Sequence, residues 1–384
     1  MKILHLMLAC FYVDNYSYQE NYLPKYHKEA GHEVEIVASR ISFDKNGRPG
    51  KLPPKYCGRH INEHGIPVTR LFNKPGRYDA LLRRYEGLQA ELDRFQPELI
   101  FIHGVQFCDI SIVAKYCKKN PHVKVFADNH ADFSNSATNW VSKNLVHRIL
   151  WRRCGKKINK YVTRFYGVLP ARVDFLINEY KLPKKKIELL VMGGDDESVI
   201  AAAKPEVRQE IRAKYGLAED DFVIMTGGKI DPFKTQTLLL MEAVHRIPDK
   251  KVKLIVFGSV VPELQEQVNA LCDGEKVQYV GWIKAAESYA MFAAADLVVF
   301  PGRHSVFWEQ VASQGIPMVV KHWDGTTHVD RGGNVRFLHQ DSVEEIYTEL
   351  QKIVGGDHAE MKAAAEQASG HFLYSKIAKR SIED

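Results

Sequence analysis

Cysteines are few in this chain of 384 residues, and their spacing is not that of a disulfide scaffold. The six cysteines stand at positions 10, 57, 108, 117, 154 and 272, with no CxxC pair among them. Small secreted domains held by disulfides, and zinc ribbons, need denser and more regular spacing. The sequence therefore favours a reducing cytoplasm. No His/Cys cluster has metal-ligand spacing, so we predict no metal site.

Long hydrophobic runs are also missing. No stretch approaches the roughly 18 uninterrupted apolar residues that span a bilayer. The first ten residues are mostly apolar, but His5 interrupts them and polar residues follow. We therefore predict a first buried strand here and no export signal.

Acidic residues are missing between Asp132 and Asp174, where nine Lys and Arg residues alternate with Trp, Val, Ile and Leu. A basic amphipathic segment of this kind, over residues 140–164, fits anionic lipid head groups. A solvated helix face is the alternative. The net charge of the whole chain is only +6, and we predict no nucleic-acid partner.

The sequence does contain short apolar runs that alternate with helix-period segments, a pattern typical of parallel sheets with crossover helices. A first series of predicted strands comprises Ile3–Ala9, Glu33–Ala38, Val68–Leu71, Leu99–His103, Val123–Ala127 and Tyr166–Leu169. A second series comprises Phe222–Thr226, Val252–Phe257, Val277–Val280, Leu297–Phe300 and Met318–Val320. Both series indicate doubly wound, Rossmann-like α/β domains.

The chain is too long for one core, so we predict two domains. These are an N-terminal domain over 1–195 and a C-terminal domain over 196–365, with a last helix in 366–384 that crosses back. Residues 42–66, rich in Gly, Pro, Lys and Asn, are predicted to loop out. Ligands of such sheets bind beyond the carboxyl ends of the strands, so two domains facing a central cleft would bring function to those turns.

The turn after Phe222–Thr226 has the sequence GGKIDPFK over residues 227–234. Glycines let the backbone approach a ligand, while Lys229, Lys234 and helix amides offer positive charge to a diphosphate. Two surface lysines beside a turn are the alternative. The turn is not a Walker loop, because GxxxxGK[ST] is absent.

Three further strand ends carry candidates for nucleotide binding. Gly258 follows one strand, and Trp282 and Ile283 follow another, where they would hold a nucleobase; a Trp282 packed in the core is the commoner outcome. After Leu297–Phe300, a loop precedes a helix that starts near Ser305, and its amides can accept a phosphate. Glu309 lies one turn later and can reach a ribose hydroxyl.

These features resemble the retaining glycosyltransferases of family 4, which have the GT-B fold. The resemblance rests on Gly31 to Val34, on the turn with two lysines, and on residues 295–317. It implies that Lys229 and Lys234 hold the donor diphosphate and stabilise its charge. The family's E-x7-E signature is poorly kept, since its second glutamate falls on Gln310, beside Glu309, and its first on Gly302.

The resemblance also assigns roles to single residues. The donor-side candidates are Gly228, Gly258, Trp282, Ile283, His304, Ser305, Val306, Glu309 and Gln310, with the last two as alternatives for the ribose. His130, after the predicted strand Val123–Ala127, would lie near the reacting sugar. Where the family has a glycine-rich loop after its first strand, the candidates for the sugar or acceptor are Tyr18, Gln19 and Asn21, and Ser17 and Glu20 would cap the helix. His103 is a further acceptor candidate.

The expected activity is a retaining, metal-independent transfer of a hexosyl group from a UDP- or GDP-sugar to an acceptor hydroxyl, without another cofactor. A sugar or lipid-linked acceptor of cell-envelope polysaccharide or glycolipid synthesis is implied. The location would be the cytoplasm or the inner face of its membrane. The alternatives are a sugar-nucleotide 2-epimerase, an inverting transferase and a non-catalytic partner subunit of the same fold. Dinucleotide oxidoreductases are disfavoured, since neither half has GxGxxG after its first strand.

Overall fold

A computed structural model divides the chain into two α/β units, and it describes residues 1–43 and 49–383. The N-terminal unit contains Met1–Val191 and the chain from Ile377 onward, and the C-terminal unit contains Met192–Lys376. The division therefore lies four residues before the predicted boundary. The segment that returns to the N-terminal unit is shorter than the predicted 366–384, and residue 384 lies outside the described residues.

The N-terminal unit contains strands β1 (Lys2–Met7), β2 (Glu33–Ala38), β3 (Ile41–Phe43), β4 (Pro49–Lys51), β5 (Gly58–Ile61), β6 (Pro67–Arg70), β7 (Leu99–His103), β8 (Lys124–Asn129), β9 (Val162–Gly167) and β10 (Ile187–Leu189). One sheet has the order β10-β9-β8-β7-β1-β2-β6-β5. Its neighbours are parallel except β5, which runs antiparallel to β6. Strands β3 and β4 pair separately.

The prediction that residues 42–66 loop out is wrong for β5, β4 and the end of β3; residues 44–48 lie outside the described residues. Strand β5 has the sequence GRHI and is largely exposed. An edge strand that buries neither face has no apolar alternation, so its sequence gives no strand signal.

The helices of this unit are α1 (Gln19–Glu29), α2 (Leu88–Phe95), α3 (Ile110–Lys119), α4 (Arg152–Ile158) and α5 (Pro170–Asn178), with a π-helical segment at Ser142–Trp151 and 3-10 turns at Pro54–Tyr56 and Lys184–Lys186. Helix α1 ends two residues before Gly31, whose φ of +87° provides the left-handed stop that its sequence predicts. Among the described residues, no helix has the length and apolar character needed to cross a membrane.

The C-terminal unit contains strands β11 (Phe222–Gly227), β12 (Val252–Phe257), β13 (Val277–Tyr279), β14 (Leu297–Phe300), β15 (Met318–Lys321) and β16 (Val335–Leu338). All are parallel, in the order β13-β12-β11-β14-β15-β16. The order reverses between β11 and β14, and doubly wound sheets bind their ligands in the crevice at such a reversal.

The helices of the C-terminal unit are α6 (Asp196–Ala202), α7 (Pro205–Lys214), α8 (Gln236–Arg246), α9 (Pro262–Ala270), α10 (Ser288–Ala293), α11 (Phe307–Ser313), α12 (Val343–Lys352), α13 (His358–Ala368) and the start of α14 (Tyr374–Ser381). Shorter helical turns occupy Ala285–Glu287, Thr327–Val329, Ile353–Asp357 and Ser369–Phe372. The buried apolar side chains of β11, β12 and α8 form the centre of this unit's core.

Asp296, part of the stretch that carries the family resemblance, has a structural role. Its carboxylate accepts hydrogen bonds from Arg208 Nη2 at 2.6 Å, Arg212 Nη2 at 2.7 Å and the Val223 amide at 2.8 Å. Charge-assisted bonds of this kind tie helix α7 and strand β11 to the start of β14. Asp296 therefore fixes the start of β14 in the core of this unit.

Candidate functional site

A pocket opens at the carboxyl ends of β11 and β14, where the strand order reverses. About 380 Å³ of space, including open solvent, lies among its lining residues. Its polar and glycine lining residues are Thr226, Gly227, Gly228, Lys229, Lys234, Thr237, Gly302, Arg303 and Ser305. Four residues predicted for donor binding therefore meet in one place: Gly228, Lys229, Lys234 and Ser305.

Three cations line this pocket. Lys229 is exposed and its Nζ lies 3.7 Å from Asp231 Oδ2. Lys234 is partly buried: burial lowers its pKa, the charge of Asp231 partly offsets this, and Arg303 and Lys229 lower it further. Arg303 lies over the Phe233 ring at 5.4 Å. A bound anion would relieve the repulsion among the cations, so the pocket favours a ligand of high negative charge.

Glycine backbones form the floor of the pocket. Gly228 and Gly258 have φ angles of +129° and +127°, which side chains with a Cβ rarely adopt. A Cβ on Gly258 would lie 1.8 Å from the Gly228 carbonyl oxygen, and one on Gly227 would lie 2.2 Å from the Phe257 ring. Gly258 therefore supports the pocket loop from behind.

Glu309 is fully buried on α11 and binds two histidines. Its Oε1 accepts from His304 Nε2 at 2.8 Å and from His328 Nε2 at 2.6 Å. Burial raises the pKa of Glu309, but the charges and hydrogen bonds of His304 and His328 outweigh it, so the pKa is lowered. The carboxylate thus fixes His304 beside Ser305, a pocket residue.

Gln310 is also engaged inside its own unit. Its Nε2 donates to Ser288 Oγ at 2.9 Å. Glu309 and Gln310 were the two candidates for the ribose, and each now has a protein partner. A ribose contact of Gln310 Nε2 would displace Ser288, whereas Glu309 Oε2 is buried without a hydrogen-bond partner among the described residues, and the assignment stays a prediction.

His304, Glu309 and His328 could also hold a metal ion, since one ligand atom of each lies within 4.8 Å of the others. Among the described residues, this is the one group of His, Cys, Asp or Glu side chains whose ligand atoms lie that close together. In the structure, two imidazole nitrogens lie at hydrogen-bond distance from one carboxylate oxygen, while Glu309 Oε2 and His328 Nδ1 have no hydrogen-bond partner among the described residues, and the expected absence of a metal stays a prediction. His328 was missed because it is distant in sequence from its partner.

We expect Glu309→Gln to lower the free energy of unfolding by about 3 kcal/mol near pH 7, since the two histidines lose a buried negative partner. The lowered pKa of Glu309 makes this stabilisation present above the ordinary glutamate pKa and lost as the pH falls below it. Urea unfolding should therefore show that the difference in free energy of unfolding between the unchanged protein and Glu309→Gln is smaller by about 1 kcal/mol near pH 3.5 than near pH 7. A difference that does not change with pH would contradict the charged state of Glu309.

Trp282 is not a core residue, and the interpretation that it packs inside is wrong. Its side chain is 68% exposed. Gly281, with a φ of +79°, turns the chain outward after β13 while its carbonyl accepts from the Gly258 amide at 2.8 Å. Trp282 and the half-buried Ile283 therefore sit on the loop next to Gly258, and Val306 is likewise exposed.

In the N-terminal unit, the candidates lie around the start of α1. The proposed cap is absent: Tyr18 is the N-cap and makes no side-chain capping bond. Glu20 Oε1 instead lies 3.8 Å from His130 Nε2. The buried amide of Gln19 has no hydrogen-bond partner among the described residues, whereas Asn21 Nδ2 donates to the Val13 carbonyl at 2.9 Å.

His103 is fully buried. Its side chain therefore cannot contact an acceptor in this structure, which corrects its assignment to the acceptor side. Two residues of the donor pocket, Arg303 and Thr237, were also missed by the sequence predictions. Arg303 had a signal, as a cation in a loop directly after a buried strand; Thr237 had none, since it lies within the first turn of an ordinary amphipathic helix.

The two doubly wound units define the fold class, that of GT-B glycosyltransferases. The crystal structure of Anabaena HepE in complex with UDP matches with a TM-score of 0.68, at 18% identity over 99% of this chain and 98% of that chain. An identity this low shows the fold alone.

Residues 221–355 match the model of the family described as Glycosyl transferases group 1, which agrees with the predicted resemblance over that stretch. A mannosylfructose-phosphate synthase of Agrobacterium fabrum is 27% identical over 45% of this chain and 38% of its own length. A D-inositol 3-phosphate glycosyltransferase of a Nocardioides species is 25% identical over 54% and 50%. The chain thus matches half or less of the length of these two relatives.

Proposed function

We propose that this chain is a retaining glycosyltransferase of family 4, which transfers a sugar from a nucleotide-diphosphate donor to an acceptor hydroxyl. The observation that carries the proposal is the pocket at the ends of β11 and β14, where Lys229, Lys234 and Arg303 converge on glycine backbones. This pocket lies in the stretch that matches the family model. Two relatives whose names describe sugar transfer add support.

In the proposed reaction, the acceptor oxygen attacks the anomeric carbon on the face that the nucleotide leaves. The bond from that carbon to the phosphate oxygen breaks, and the proton of the acceptor hydroxyl passes to the departing phosphate. Negative charge grows on the diphosphate, and preorganised cations at Lys229, Lys234 and Arg303 stabilise it. These three cations supply the charge that a divalent metal provides in other transferases, so we propose a metal-independent reaction.

Other residues are proposed to orient the donor and the sugar. Trp282, exposed beside Gly258, has a free face on which a nucleobase can stack. Ser305 precedes α11, and the loop amides around it can bind phosphate. His130 is proposed to serve the transferred sugar as a charged side chain. Burial lowers the pKa of His130, but the negative charges of Glu20 and Asp128 raise it by more, so the net shift is upward.

The test is a thermal-shift screen with UDP, GDP, TDP and CDP sugars, followed by an activity assay with the donor that stabilises most. We expect one donor to raise Tm and then be hydrolysed or transferred, with the anomeric configuration retained in the NMR spectrum of the product. Excess EDTA should leave the rate unchanged. Three outcomes would contradict the proposal. A free epimerised sugar nucleotide would favour an epimerase, and an inverted linkage would favour an inverting transferase. Binding without any turnover would favour a non-catalytic partner subunit.

We further propose that residues 140–164 dock on an anionic membrane, where a lipid-linked acceptor of envelope polysaccharide or glycolipid synthesis would be reached from the cytoplasm. Trp140, Leu145 and Ile149 are exposed large apolar side chains. The exposed cations Lys156 and Lys157 follow on α4. Exposed apolar and basic side chains on one helical segment support a surface that lies in a lipid interface.

Replacing Trp140 and Leu145 with serine should reduce binding to vesicles that contain phosphatidylglycerol by about 10-fold, because the exposed apolar area that enters the lipid is lost. Co-sedimentation measures this. Ile200→Ser is the control, since Ile200 is about as exposed as Trp140 but lies on the C-terminal unit. Equal binding of all three proteins, or binding to neutral vesicles alone, would contradict the docking surface.

A further inference from the structure

The loop that follows β8 joins His130 to an exposed aromatic side chain. His130 begins this loop, and its side chain is 26% exposed. Phe133 comes three residues later and is 47% exposed. Three residues span at most about 11 Å, even when the chain is fully extended. The residue proposed to serve the sugar and a large exposed apolar ring are therefore close neighbours in the N-terminal unit.

The loop is folded back on itself, so its ends lie closer than this limit. Asn135 Nδ2 donates to the His130 carbonyl at 2.7 Å, and the Asp132 amide donates to Asn135 Oδ1 at 3.0 Å. The amides of Ser136 and Ala137 both donate to the Asp132 carbonyl at 3.1 Å. Residues 130–137 therefore form one compact, hydrogen-bonded turn.

A buried ion pair anchors this turn to helix α5. Arg172 Nε donates to Asp132 Oδ2 at 3.1 Å, and the Asp132 side chain is buried. The other oxygen, Asp132 Oδ1, accepts from the Ser134 amide at 2.7 Å. A hydrogen bond between two ionised groups is stronger than one between neutral groups. The turn, with His130 at its start, is therefore held against α5.

The turn shares its support with the docking segment, which is the stretch 140–164 proposed above to meet the membrane. The Phe133 ring lies edge to face with the buried Phe175 ring at 5.2 Å, and the His147 ring of the docking segment meets the same Phe175 at 5.4 Å. Ser142 Oγ donates to the Ser136 carbonyl at 2.5 Å. Phe133 therefore lies beside the docking segment.

The charge around Phe133 suits an anionic lipid. Lys143 Nζ lies 4.4 Å from the centroid of the Phe133 ring. The sequence has no acidic residue in 133–173. The nearby carboxylate of Glu179 is already paired with Arg148, at 2.6 Å. An apolar ring can enter the lipid interface while a neighbouring ammonium group stays at the level of the head groups. Phe133 and Lys143 together therefore favour a negatively charged lipid.

We propose that Phe133 and Lys143 extend the membrane-docking surface to the edge of the sugar site, and that the acceptor is a short saccharide linked to a lipid phosphate. This proposal rests on the proposed function, since it places the acceptor beside His130. The acceptor oxygen must meet the anomeric carbon of the sugar that His130 serves. A lipid held at Phe133 leaves space for roughly one or two sugar units between its phosphate and that oxygen.

The length of the acceptor gives the reaction a place in a sequence of steps. A reaction that joins a first sugar to a lipid phosphate must precede it and supply the acceptor. Further sugar transfers would lengthen the product, because the short distance from Phe133 to His130 excludes a long glycan between lipid and acceptor oxygen. The chain would then act early in the assembly of a lipid-linked saccharide.

The first test asks whether Phe133 enters the lipid, and it needs no activity. Para-trifluoromethylphenylalanine is placed at position 133 of the full chain, and fluorine NMR spectra are recorded with phosphatidylglycerol vesicles with and without a nitroxide on the head group. The nitroxide should broaden the signal strongly. The same label at Phe72, which is 39% exposed in the same unit, is the matched control and should be affected much less. Equal effects at both positions, or none at 133, would overturn the proposal.

The second test compares two acceptors in vesicles, with the donor found by thermal shift. Both are farnesyl diphosphates that carry glucose, galactose or N-acetylglucosamine, joined either directly or through a dodecaethylene glycol spacer. The direct acceptor should have a kcat/KM about 10-fold higher, because its length matches the span from lipid to site. Phe133→Ser should remove most of this advantage, and Phe72→Ser should keep it. Equal or better use of the spaced acceptor would overturn the short acceptor.

Failure of this proposal can be told apart from failure of the proposed function. Transfer to water-soluble methyl glycosides of the same sugars, with the direct lipid acceptors unused, would support the proposed function and overturn the lipid-linked acceptor. No turnover of any donor would refute the proposed function, and the acceptor assignment would fall with it. The fluorine spectra would still decide whether Phe133 enters the lipid.

Discussion

Replacing Lys234 with alanine is expected to lower kcat by about 10²- to 10³-fold, the range seen when one preorganised charge donor is removed from a transition state. Lys234 lines the donor pocket and is partly buried beside Arg303 and Lys229. Because Lys234 is partly buried, water screens its charge less than that of an exposed lysine, so it should count more as the leaving diphosphate forms. Steady-state kinetics with the donor found by thermal shift measure the effect.

Two further variants separate charge from shape at this position. Lys234→Arg keeps the charge and should recover part of kcat, whereas Lys229→Ala should cost less, because Lys229 is more exposed. Lys250→Ala, on the exposed surface of the same unit, is the matched control and should behave as the unchanged protein. An unaltered kcat in Lys234→Ala would show that this lysine has no role in the reaction.

Replacing Gly258 with alanine should weaken nucleoside diphosphate binding by at least about 10-fold and lower Tm. The new Cβ would lie 1.8 Å from the Gly228 carbonyl, so the pocket loop must move away from the phosphate position. Calorimetric titration and thermal unfolding measure the two effects.

Gly332→Ala is the matched control for this prediction. Gly332 has a φ of +126°, close to that of Gly258, but no atom lies within 4 Å of a Cβ built there. Gly332→Ala should therefore show the loss of Tm that backbone strain alone causes. Its binding of nucleoside diphosphate should not change. If both variants bind equally well, Gly258 does not support the pocket.

The donor pocket could be predicted from the sequence because parallel strands end at one edge of a sheet. Once β11 and β14 were recognised as strands, the turns that hold Lys229, Lys234 and Ser305 had to lie near each other. Side-chain direction was less predictable. Trp282 was a candidate for the nucleobase with a core position as the commoner alternative, and the left-handed Gly281 turns it outward. Glycine adopts either sign of φ, so its presence alone does not fix the direction of the chain.

The buried polar networks could not be predicted. His5 looked like a polar interruption of a strand, and its partner His103 is 98 residues away. Glu309 looked like an accessible residue in the first turn of α11, but His328 reaches it from a separate loop. Such pairs form only when distant segments pack, and apolar periodicity carries no information about them.

A crystal of the full chain soaked with UDP tests the central claim most directly. The diphosphate should lie at the ends of β11 and β14, within hydrogen-bond distance of the Gly228 backbone, Lys234 and Arg303. An empty pocket in a crystal whose nucleotide is bound elsewhere would contradict the account.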